Sequence, residues 1–108
     1  MPTVAIDVMP TLVTAAEATL FTVPASTEYD IPVIRFVNND TEDHTLTIWN
    51  KASASAGTNA DLEAKTVTIQ AQASYEHGPM VLPAGRVVSV KADVASKISA
   101  RIHGWSIT

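Results

Sequence analysis

Short runs of alternating apolar and polar residues, broken about every 8–12 residues by turn-forming residues, constrain this chain more than anything else in it. In a strand, residues two apart share a face, so each such run can bury one side and leave the other wet. The runs are Thr3–Val8, Ala18–Val23, Tyr29–Val37, His44–Lys51, Thr66–Gln70, Ser74–His77, Arg86–Ala92 and Ile98–Ile107. Valine, isoleucine and threonine make up 33 of the 108 residues, and their stiff, β-branched side chains favour the pleated sheet. The pattern predicts an all-β fold: a two-sheet antiparallel β-sandwich of about eight short strands, immunoglobulin-like or a small jelly roll. At 108 residues the chain is expected to form one domain.

The alternation also predicts which side chains face inward. Ile34, Phe36, Leu46, Ile48, Val67, Ile69, Val88, Val90, Ile98 and Ile102 form the expected core, with Val87, Ser89 and Lys91 on the opposite side of their strand. Tyr29–Val37 and His44–Lys51, joined by the polar run Asn38–Asp43, read as an antiparallel hairpin with a solvated tip. Pro32 has no amide proton to give a ladder, so it is expected near a strand start or at a sheet edge. After Gly104 the apolar phase moves to Trp105 and Ile107, which predicts a β-bulge and places Trp105 in the core or at its rim. Residues 52–64 are small and unpatterned and are expected to form a long mobile loop, with a helical turn near 61–65. Residues 1–10 read as an N-terminal arm, apolar enough at Val4 and Ile6 to add a strand to a neighbour.

Several kinds of chemistry find no support. Without cysteine there is no disulfide, thiolate nucleophile or cysteine-ligated zinc. The net charge of −4 argues against nucleic-acid binding through phosphates. No run of 18 apolar residues points to a membrane helix, and the first residues do not have the pattern of a secretory signal. Asp40, Glu42, Asp43 and His44 lack the spacing of a dedicated calcium loop, although a cation at this turn stays open as an alternative. His44, His77 and His103 show no paired zinc spacing, no nucleophile elbow occurs, and the four glycines form no phosphate loop. Neither an enzyme, a cofactor nor a bound metal is expected. Trp49 stands with Thr45 and Thr47 on the outer side of its strand, out of phase with Leu46 and Ile48. An outward tryptophan is either covered by a neighbouring loop or part of a contact surface. Trp49, Thr45, Thr47, Tyr75, Val4 and Ile6 are therefore the candidate interface residues.

Four segments carry a resemblance over residues 18–108: Ala18-Thr19-Leu20-Phe21-Thr22-Val23-Pro24-Ala25; Arg35-Phe36-Val37-Asn38-Asn39 followed by Leu46-Thr47-Ile48-Trp49; Ser74-Tyr75-Glu76 with Met80-Val81-Leu82-Pro83-Ala84-Gly85; and the closing Ile98–Ile107 with its late glycine. Together they resemble small β-sandwich accessory proteins of tailed bacteriophages and gene transfer agents. The chain departs from them at Gly85-Arg86, where such proteins usually carry Gly-Asp. The resemblance implies a non-enzymatic virion component on the head or neck, assembled in the host cytoplasm: a capsid decoration, a head spike or fibre base, or a tail accessory. Its implied partners are copies of itself in a trimer or pentamer, a major capsid protein or neighbouring virion protein, and a fibre or spike protein. The competing expectation is a carbohydrate-binding or adhesion module that uses Trp49 or Tyr75 as a sugar platform.

Overall fold

The computed structural model describes residues 3–6 and 11–108; the parts of the expected arm at residues 1–2 and 7–10 lie outside them. Among the described residues ten strands form: β1 (Thr3–Ala5), β2 (Thr11–Leu12), β3 (Ala18–Thr22), β4 (Glu28–Asn38), β5 (His44–Lys51), β6 (Leu62–Ile69), β7 (Ser74–His77), β8 (Met80–Leu82), β9 (Val87–Ala92) and β10 (Ile98–Ile107). They build two antiparallel sheets. One runs β1-β10-β4-β7, with β2 also on β10 and β8 also on β4; the other runs β3-β9-β5-β6. Counting β1/β2 and β7/β8 as two interrupted strands leaves eight, in the orders 1-8-3-6 and 2-7-4-5. That is the jelly roll rather than the immunoglobulin arrangement.

Alternation places the core between the sheets. Ile31, Ile34, Phe36, Leu46, Ile48 and Ile98 are fully buried there, and nine of the ten expected core residues belong to the buried cluster. Val67 is the exception. It is half-buried because β6 is an edge strand whose register breaks on both sides of Ile48, with Thr66 in the left-handed region at φ 54°. Such irregularities twist an edge away from further pairing. Val87 and Ser89 depart from expectation in the other direction: they point outward and are nevertheless buried.

β4 and β5 do not form the expected hairpin. They lie in different sheets, so residues 39–43 form an arch over one end of the sandwich. Asn38 is the reason the arch holds. Fully buried, it donates from Nδ2 to Glu42 O at 2.8 Å and Ile69 O at 2.9 Å, and its Oδ1 accepts from Asp40 N at 3.0 Å. One side chain thus ties the end of β4 to the end of β6 in the opposite sheet.

The bulge expected near Gly104 is present, but the extra residue belongs to β4. Between His103↔Val33 and Trp105↔Asp30, β10 contributes one residue and β4 contributes two, Ile31 and Pro32. Pro32 therefore sits inside a central strand, in the gap where β4 changes partner from β8 to β7 and no ladder donor is required. Gly104 allows the close approach, since a Cβ there would press on Asp30 O and Ile31 Cα. With no residue inserted in β10, that strand keeps its phase. Trp105 points outward and is 48% exposed, outside the core.

Candidate functional site

The outer face of the four-stranded sheet carries a groove of about 380 Å³. Thr45, Thr47 and Trp49, consecutive outward residues of β5, form its floor; Lys65 and Thr66 of β6 and Lys91 of β9 are among its walls. Three of the six expected interface residues are brought together here. Trp49 is half-buried, and both expected fates of its indole meet: Gly57 lies flat against the ring, where a Cβ would collide with it, while the ring also lines the groove.

A charged strap holds Gly57 in place. Lys51 Nζ lies 2.7 Å from Glu17 Oε2, and Ser89 Oγ donates to the same oxygen at 2.7 Å. Gly57 N donates to Glu17 Oε1 at 2.9 Å, and Lys51 Nζ also donates to Ser55 O. Lys51 and Ser89 are buried by this arrangement. Burial by itself would raise the Glu17 carboxyl, but donation from Lys51, Ser89 and Gly57 outweighs it and holds the group at about 2, down from 4.5. Residues 52–58, expected to be mobile, are thereby tied to the sheet. A 3₁₀ turn at Asn59–Asp61 follows, closed by Thr58 N and Oγ1 donating to Asp61 Oδ2, and β6 begins at Leu62, four residues before its expected start.

The acidic turn is built around a buried histidine rather than solvated throughout. His44 Nε2 bonds Asp40 Oδ2 at 2.7 Å, and Nδ1 lies 3.1 Å from Asp93 Oδ1 without hydrogen-bond alignment. The bond to Asp40 is the main cause that raises the imidazole above its usual value, against burial and with help from Asp93. The same bond, with Thr41 N, lowers Asp40. Among the described residues no group of three or more His, Asp or Glu is placed to hold a metal ion.

The other expected interface residues lie elsewhere. Tyr75, on β7, turns inward and stacks on Phe36 with centroids 6.5 Å apart. Its hydroxyl is 3.2 Å from His77 Nδ1, and His77 Nε2 is 3.2 Å from Glu63 Oε1, so this chain of contacts spans the open edges of the two sheets. Val4, 59% exposed, belongs to β1, which adds to β10 of its own sheet; Ile6 packs partly on the core. The arm's described part thus pairs within the chain.

Sequence reasoning missed the strap and the outer face of the six-stranded sheet. Glu17 has no local signature, since its partners stand 34, 40 and 72 residues away. Trp105, Val81 and Leu12 are large, apolar and exposed, and they lie on that open outer face. No family model, curated protein or solved structure matches the chain.

Proposed function

We propose that this protein is a non-enzymatic, self-associating structural module on the surface of a phage-like particle, where it docks on a capsid or neighbouring virion protein and can anchor a spike or fibre. The observation that carries the reading is the six-stranded face, which nothing among the described residues covers. There Val81 is 64% and Trp105 48% exposed on a sheet that also presents Arg35 and Arg101. Exposed apolar side chains rimmed by polar ones mark contact surfaces, and tryptophan and arginine are the types enriched in them. The jelly roll is a frequent architecture of capsid and lectin domains, which supports the reading by analogy alone. Sedimentation velocity tests self-association: a mass rising with concentration above 11.5 kDa is expected, and a monomer at the highest soluble concentration rejects it. Negative-stain imaging of particles lacking the protein tests placement, with missing surface density expected and unchanged particles counting against it.

The groove at Trp49 favours a second reading, a carbohydrate-binding module. A floor of indole and threonine hydroxyls between two lysines suits a sugar ring that stacks and hydrogen-bonds at once. Titration with oligosaccharides, followed by tryptophan fluorescence, decides it; no change across a glycan panel removes this reading.

A further inference from the structure

The open face has an internal symmetry of charge. Arg101 on β10 stands opposite Arg35 on β4, and four residues along β10, Trp105 stands opposite Asp30. His103 and Val33 form the row midway between these two, roughly 7 Å from each. All these side chains lie on the outer face. Like charges directly opposite on neighbouring strands are unfavourable. Yet among the described residues neither arginine has a carboxylate within 4.0 Å, and neither does Asp30 have a cation. Glu76 is the register neighbour of Arg35 on its other side, but it too is beyond ion-pair distance.

We infer that this face packs against the same face of a second copy about a two-fold axis that runs across the strands along the His103–Val33 row. The inference rests on the self-association proposed above and names its surface. Such an axis lays β10 over β10 and β4 over β4 in opposite directions. It exchanges the two outer rows, so Arg35 meets the Asp30 of the second copy and Arg101 meets its Trp105, each contact occurring twice. The row of Arg35 and Arg101, flanked by Glu76, faces a row of acid and aromatic, and the two are complementary under this operation at these two pairs. Its pairs are one of opposite charge and one of cation with indole. Ten residues of β10 by four strands make a patch of roughly 600 Å² in projection, close to the ~800 Å² per partner of a standard interface. Twisted sheets stack in this way at about 10 Å.

Charge exchange tests it, with sedimentation as the readout. Arg35→Asp and Asp30→Arg should each weaken self-association about tenfold or more, because each sets like charges together twice. Mixed in equal amounts the two variants should recover association, and the double variant R35D/D30R should recover it within one chain. Arg101→Ala and Trp105→Ala probe the second pair independently, and circular dichroism checks that every variant is folded. If the wild type associates while the single reversals leave its affinity unchanged, or the mixture fails to recover, this surface is wrong and the structural-module reading survives. A wild type that never associates rejects that reading itself.

Discussion

The two outer faces of this sandwich are finished in opposite ways. On the four-stranded sheet, residues 52–58 are fastened to the strands through Glu17, Lys51, Ser89 and Gly57, and on this face even outward Val87 and Ser89 are buried. On the six-stranded sheet nothing described covers the strands, and Trp105 and Val81 stay open. A polar strap needs its charges satisfied by the chain itself; an open apolar face has its satisfaction deferred to whatever docks there. The contrast teaches that exposure on one side is selective, since the fold covers apolar surface where it has loop to do so.

The core shared by both faces sets the top of the scale. Ile48 is fully buried between the sheets, and a carboxylate there would have no partner. Ile48→Asp should abolish the cooperative thermal transition; a folded variant would mean that the register of β5 is wrong. Next in size is the strap. Lys51→Ala leaves Glu17 and Ser55 O without their cation under partial cover, which should cost about 2 kcal/mol in urea denaturation. It should also free the chain over Trp49, read as a change in tryptophan emission. An unchanged midpoint would erase the difference drawn between the faces.

Local pattern made the fold legible, and long-range pairing explains what it left out. Alternation in β5, β9 and β10 identified the core residues because period two is written into consecutive positions. The arch between β4 and β5 looked like a hairpin because polar turn residues do not say which sheet the chain enters next. That choice rests on Asn38 reaching Ile69, 31 residues away. Trp105 misled for a similar reason: an apolar residue after glycine implies a phase change only if the extra residue is on the same strand, and here β4 holds it. At the candidate site, Thr45, Thr47 and Trp49 were readable as one face of β5, while Glu17 was not, its partners being distant in sequence.

Acid should weaken the strap. Glu17, held low, contributes fully above its ordinary 4.5, and that contribution is lost as pH falls toward about 2. His44, held high, contributes fully below 6.5 and loses its share as pH rises past its raised value. Both are present between 4.5 and 6.5, where stability should peak. The acid limb is expected to amount to about 1 kcal/mol, less than the full displacement of the carboxyl would give, because Glu17 is partly open to water and screened. Lys51→Ala should reduce that limb, as the main donor to Glu17 is gone, and leave the share of Asp40, which the bond from His44 also holds low. A limb that persists undiminished would assign it to other carboxylates.

The smallest effect is the sharpest comparison, because one substitution is made on both faces. Val87 and Val81 each point away from the core, but Val87 is 3% exposed and Val81 64%. Threonine keeps the β-branched shape and adds a hydroxyl, so the difference between the sites isolates cover. Val87→Thr puts that hydroxyl in a buried position on the strap-bearing face and should cost about 1 kcal/mol. Val81→Thr leaves it in water and should stay within about 0.5 kcal/mol of the parent, measured at concentrations low enough to keep the protein monomeric. Equal costs at the two positions would mean that Val87 is no better covered in solution than Val81, and the difference between the two faces would not extend to it.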